Sequence, residues 1–171
     1  MNNLLIVLGA MIFLIILWML TYRNILQHYK SEISKSESDL KQKFFIVFNR
    51  IPYLLEVMSE YKVFMSHNGA EILEMRTTLI DSELKIEDAF EIYVKLYTYV
   101  EEVFATDGSQ FKSDVGFLEI LYELQDMHDE IRLIVKEYNG SAVGFNEKLL
   151  KFPGNFVGGL FNMQSLRTLG T

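Results

Sequence analysis

Three histidines, His28, His67 and His128, are the residues best suited to metal or proton chemistry in this chain. Metal binding by histidine needs a second ligand about one helical turn away, as in His-Glu-x-x-His, or a close acidic partner. None of the three has a second His or an acidic partner in a recognised ligand spacing. His128 falls on an apolar stripe and reads as a core histidine with its ring nitrogens satisfied. Carboxylates cluster at Glu101-Glu102 and at Asp126, Asp129 and Glu130. Both clusters fall opposite apolar stripes, which makes them a solvated face rather than an acid–base pair. A di-iron helical bundle would need Glu-x-x-His on two helices, and the chain has none. The absence of cysteine excludes a thiol nucleophile, a disulfide framework and a cysteine-based metal site. There is no Gly-x-Ser-x-Gly nucleophile turn. Neither phosphate-binding glycine motif occurs, and Gly154 and Gly158-Gly159 have no Lys-Ser after them. Asn139-Gly140-Ser141 fits a glycosylation sequon but sits in a helix-like run. The residues thus predict no catalytic centre, no metal and no cofactor.

Charge narrows the partners. The formal net charge is −7 over 171 residues. Phosphate recognition needs a concentrated basic face, so nucleic acid is excluded as the main partner. The aromatic stripes then read as core rather than as stacking platforms for bases.

The first charged side chain is Arg23. From Leu4 to Leu20 the chain reads LLIVLGAMIFLIILWML, with no polar stripe. About 20 apolar residues span a hydrocarbon core, and Leu4–Tyr22 meets that length. Trp18 and Tyr22 suit the headgroup layer at its end. A secretory signal would need a basic start and a small-residue cleavage site. Met1-Asn2-Asn3 has no basic residue, and Trp18–Tyr22 offers no small pair. The segment is therefore expected to stay as an anchor. Arg23, Lys30, Lys35 and Lys41 follow it and no Lys or Arg precedes it. The positive-inside rule then places the body in the cytoplasm, as a single-pass protein of the cell membrane.

The two prolines, Pro52 and Pro153, leave room for long helices. Leu26, Tyr29, Ile33 and Leu40 keep to one face of a helix continuing out of the anchor. Asn49–Pro52 predicts a turn, because the residue before proline is pushed from helical geometry. Helical spacing resumes at Tyr53–Phe64. Ser66–Glu71 admits three readings: an Asn-Gly turn, a capping box opening a new helix, or an unbroken helix tolerating Gly69. Ile86, Ala89, Tyr93, Leu96, Val100 and Val103 form a wide stripe of the kind a bundle helix buries. Thr106–Ser109 predicts a break. A second stripe, Phe117, Leu121, Leu124, His128, Ile131, Val135 and Tyr138, predicts a helix capped near Ser113-Asp114 and running towards Leu150. The expected fold is all-α: an N-terminal transmembrane helix over residues 1–22 continuing into an antiparallel four-helix bundle over 23–151. Residues 152–171 form an apolar, glycine-containing tail.

Tyr138–Phe161 reads YNGSAVGFNEKLLKFPGNFVGGLF. Tyr138-Asn139, Phe145-Asn146 and Phe152-Pro153-Gly154-Asn155 closely resemble the C-terminal signature of the LemA family. Ser38–Leu54, with Ile51-Pro52 inside it, resembles that family's connection between its first and second helices. The N-terminal anchor fits too, so the resemblance covers essentially the whole chain. The chain departs from the family at Phe44–Val47, where a basic cluster is usual, at Tyr53 and at Ala105–Ser109. The resemblance favours one helix from about Ile51 to Ile80, with the next turn at Asp81–Lys85. It implies a bacterial membrane-anchored helical bundle with no established catalytic activity, and members are often encoded near membrane stress and protease functions.

The expected function is thus a non-enzymatic scaffold at the bilayer, presenting helix surfaces to an unidentified membrane protein. Lateral self-assembly into homo-oligomers is the alternative. The tail carries Phe156, Val157, Leu160 and Phe161. Residues 23–50 span about 42 Å as helix and 113–150 about 57 Å, so the last long helix can reach back to the membrane. The tail then either caps the bundle's own core or forms an interfacial foot touching lipid or a partner.

Overall fold

The computed structural model describes residues 2–60, 74, 77–78, 84–111 and 114–170. Four helices appear among them: α1 (Asn2–Glu60), α2 (Ile86–Phe111), α3 (Val115–Leu150) and the short α4 (Gly154–Leu160). No strand occurs among the described residues. The chain divides into two compact units. One takes Met1–Lys35 and Glu137–Thr168, the other Ser36–Lys136 and Leu169–Thr171. Both α1 and α3 contribute to each unit.

The apolar segment leads into the body with no break in α1, as expected from sequence. Its side chains from Leu4 to Trp18 are exposed, and burial begins at Leu26. Among the described residues, one helix is long and apolar enough to cross a membrane, and this is it. Farther on, Leu26, Ile33, Leu40, Val47 and Leu54 recur every seven residues and are all buried. A sustained repeat of that length is the seam a helix presents to a helical neighbour.

The expected turn at Asn49–Pro52 does not form. Pro52 lies inside α1, which runs on to Glu60. Ile51-Pro52 is therefore not a helix-to-helix connection. An interior proline costs about 3 kcal/mol or more. Full burial of a large aliphatic side chain stabilises by about 1.5–3 kcal/mol, and Phe48, Ile51 and Leu54 are each at most 2% exposed. Breaking the helix would give up the register that buries all three. The break expected at Thr106–Ser109 is also absent, because α2 continues to Phe111. Asp107 and Gly108 together cost a helix about 1–2 kcal/mol in propensity, too little to end one of 26 residues. The ambiguous Ser66–Glu71 lies outside the described residues, as do 81–83; Lys85 is not helical, while Glu74, Thr77 and Thr78 are.

Other boundaries follow the sequence. The helix α2 begins at Ile86. Asp114 Oδ1 accepts from Phe117 N at 2.9 Å, which satisfies a free amide at the start of α3. At its other end α3 stops at Leu150, before the cis Phe152–Pro153 bond.

The pairing of α1 with α3 is visible in each unit. In the first, Tyr22 Oη donates to the Lys148 carbonyl at 3.2 Å. Gly144 lies so close to Tyr29 that a Cβ there would come within 2.7 Å of the ring. In the second, Lys43 pairs with Glu130, and Arg50 Nη2 reaches Glu123 Oε1 at 2.8 Å. Within each unit taken by itself, partner numbers fall along α3 as they rise along α1.

His128 is half-buried in the second unit. Its ring stacks on Tyr97 with centroids 3.7 Å apart and planes 8° apart. Nδ1 shares a 2.7 Å hydrogen bond with the Tyr93 hydroxyl. Burial lowers the His128 pKa, with Arg132 adding to it against Glu101 and Asp129. Burial raises Tyr93, and Tyr97, Glu101 and Asp129 push the same way. Both shifts favour the neutral pair. A group whose folded pKa is depressed contributes stability above its unfolded value that is lost as pH falls through the folded one. Thermal stability is therefore expected to drop as pH falls below the usual histidine range, about 6.5. His128→Gln should lose that component in melts compared across the window. Equal acid sensitivity of both proteins would contradict this.

Candidate membrane-interface site

The first unit carries most of the residues singled out in the sequence. Tyr138 and Phe145 are buried on α3, while Asn139 and Asn146 are half-buried. Asn146 holds the chain beyond α4: its Nδ2 donates to the Leu166 carbonyl at 2.7 Å, and its Oδ1 accepts from Leu166 N at 2.9 Å. One primary amide thus satisfies both backbone groups of a residue that has no helix to do so. Tyr138 Oη donates to the Arg167 carbonyl at 3.2 Å. These two signature residues fix the returning chain against α3. Replacing Asn146 by Ala should cost about 1–2 kcal/mol, from two net hydrogen bonds. The loss should be local, read as faster amide exchange at Leu166, and unchanged exchange there would refute it.

Gly154 is buried where the chain leaves α3. A Cβ built on it would sit 1.7 Å from the Lys148 carbonyl oxygen and 3.1 Å from the Tyr22 ring. Gly158 faces Leu149 in the same way, at 2.3 Å from Cδ1. With Val157, fully buried, they make the inner face of α4. Val157 is thus packed inside and unavailable for contact with lipid or a partner. The outer face differs. Phe156 and Leu160 are each 61% exposed, and Phe152 beside them is 76% exposed. Pro153 is half-buried and Asn155 exposed. The tail therefore divides between the two expectations: one face caps the core, the other is an apolar outer surface.

That surface adjoins the end of the apolar stretch of α1. The Trp18 and Phe152 rings are 5.9 Å apart. Arg23 places its guanidinium carbon 4.9 Å from the Phe161 ring centroid. Its Nε is buried without a hydrogen-bond partner. Lys148 and Lys151 are exposed on the same stretch of chain. These pairings join residues far apart in sequence, and no local pattern announces them. Ile51 and Pro52, the remaining signature residues, belong to the second unit and take no part.

The carboxylates lie on the exposed side, where Glu130 pairs with Lys43. Glu101, Glu102, Asp126, Asp129 and Glu130 are all exposed. Among the described residues, no group of three or more His, Asp or Glu could hold a metal ion. On α3 three apolar side chains also stand exposed, set among the carboxylates of Glu119, Asp126 and Asp129. Val115, Tyr122 and Leu133 are exposed at 77%, 61% and 63%. Their spacings of 7 and 11 residues keep them on one side, because both are close to whole helical turns. That side is opposite the buried Phe117, Leu121, Leu124 and Ile131.

The model of the LemA family matches residues 22–170. No curated relative and no solved structure matches the chain. The match takes in all of α2, α3 and α4 and the tail as far as residue 170, so with its signature residues at work in the first unit, this chain belongs to the LemA family.

Proposed function

We propose that this protein is a non-enzymatic scaffold of the LemA type, anchored in the cell membrane by the N-terminal part of α1. Its body is an antiparallel four-helix bundle facing the cytoplasm, and it offers helix surfaces to a protein partner at the bilayer. The observation that carries this reading is the continuity of α1. One helix is wholly exposed and apolar over Leu4–Trp18, then buries a seven-residue repeat from Leu26 to Leu54. An exposed apolar face of that length is tolerable where lipid covers it. The cytoplasmic side follows from Arg23, Lys30, Lys35 and Lys41 after the span, with no basic residue before it.

The partner surface is the outward stripe of α3. What supports this is the exposure of Val115, Tyr122 and Leu133 on one side of α3, where they would be the apolar contacts of an otherwise acidic surface. Photo-crosslinking groups at Tyr122 and Leu133, in native membranes, should capture one recurrent membrane protein. Mass spectrometry identifies it. Recurrent crosslinks to copies of this chain would instead establish lateral self-assembly, and crosslinks equal to those from the exposed Glu91 on α2 would refute a partner surface there.

A further inference from the structure

We infer that α4 is an interfacial foot: Phe152, Phe156, Leu160 and Phe161 lie in the headgroup layer beside the span, with Arg23, Lys148 and Lys151 facing anionic phospholipid phosphate. This rests on the reading of Leu4–Tyr22 as a membrane span.

The occupant is fixed by continuity. The exposed apolar surface of α1 does not end at Trp18; it passes through the Trp18–Phe152 ring pair onto the outer face of α4. Whatever covers one half covers the other. Trp18 and Tyr22 are the residue types that favour the boundary between hydrocarbon and headgroups, so the surface they adjoin sits at that depth. Lipid tails would cover Phe156 and Leu160 at little cost, whereas water does not.

Rigidity supports the same assignment. Gly154 and Gly158 bring α4 against Lys148 and Leu149 with no room for a side chain. The foot is therefore held, and its four apolar side chains are presented together. Charge completes the match. Arg23, half-buried, sets its guanidinium over Phe161 at the edge of this surface. Lys148 and Lys151 are exposed, and Glu147 is the one acid between residues 145 and 155. In a chain of net charge −7, this local excess of base stands apart. Guanidinium and ammonium groups near a bilayer surface are drawn to anionic lipid, and their long stems let the charge rise to the phosphate level.

The chain has no cysteine, so single cysteines take an environment-sensitive fluorophore at one place each. The full-length protein is reconstituted with the fluorophore at Phe13→Cys, Tyr122→Cys or Phe156→Cys. These positions are exposed, so the substitutions leave the core intact. Vesicles are of phosphatidylcholine, or of equal parts phosphatidylcholine and phosphatidylglycerol, with a doxyl quencher near the headgroup or near the acyl terminus. The fluorophore at Phe156 is expected to lose more than half its emission to the shallow quencher and little to the deep one. Phe13 should respond mainly to the deep quencher, and Tyr122 to neither. Quenching at Phe156 should be stronger in the anionic vesicles, and Lys148→Gln with Lys151→Gln should remove that difference. If Phe13 is quenched and Phe156 behaves like Tyr122, the foot is refuted while the anchor stands. If neither Phe13 nor Phe156 is quenched, the anchor itself fails. Equal quenching at Phe156 in both vesicle types refutes the phosphate contact.

Discussion

Replacing Leu96 or Leu124 by Ala is expected to destabilise the protein by about 2–5 kcal/mol, the range for large-to-small changes in packed cores. Leu96 is 1% exposed on α2 and Leu124 3% exposed on α3. Each loses its transfer free energy and leaves a cavity that rigid helices close poorly. The same change at Glu101 or Glu102, both exposed, should stay within about 0.5 kcal/mol. Denaturant titration in detergent micelles measures all four. A glutamate variant as damaging as the leucine variants would mean that these carboxylates are not simply solvated.

The second large effect is expected at Gly154. The nearest atom to an added methyl is the backbone carbonyl oxygen of Lys148, at 1.7 Å. A backbone atom cannot swing aside as a side-chain end can. Gly154→Ala must therefore displace α4 from the end of α3. Overpacking of this kind costs about 1–3 kcal/mol and occasionally more, and the clash places this case at the upper end. Gly159→Ala is the control, since nothing lies within 4 Å of its added Cβ. Thermal melts of the two variants should differ by several degrees. Equal melting temperatures would show that α4 is not seated as described.

How much of this was legible in the sequence depends on the range of the interaction. Periodicity marked Leu96, Leu124 and Tyr93 as core, because a stripe along one helix needs only its own spacing. The Asp114 cap and the stop before Pro153 were equally local. Pro52 was misread for the same reason. Its local preference favours a turn, but Phe48, Ile51 and Leu54 around it are buried by tertiary packing, which no local pattern shows. Asn146 could be singled out by family resemblance, but not its role. Its partner Leu166 is 20 residues on, in a stretch with no helix. Val157 and Phe156 are adjacent and similarly apolar, yet one is fully buried and the other mostly exposed. Only the docking of α4 through Gly154 and Gly158 decides which faces in. The outer stripe of α3 was present in the sequence at 115, 122 and 133, but the denser core stripe on the opposite side masked it.

On the proposed function, α1 holds the body at a bilayer by a retained apolar segment. Alkaline carbonate extraction of native membranes, followed by peptide mapping of the pellet, tests it most directly. The protein should remain in the pellet, and intact-mass measurement there should find a chain that still begins at Met1, with Met1–Arg23 recovered on digestion. Recovery of the body in the carbonate supernatant, or a pelleted chain that begins after residue 22, would contradict it.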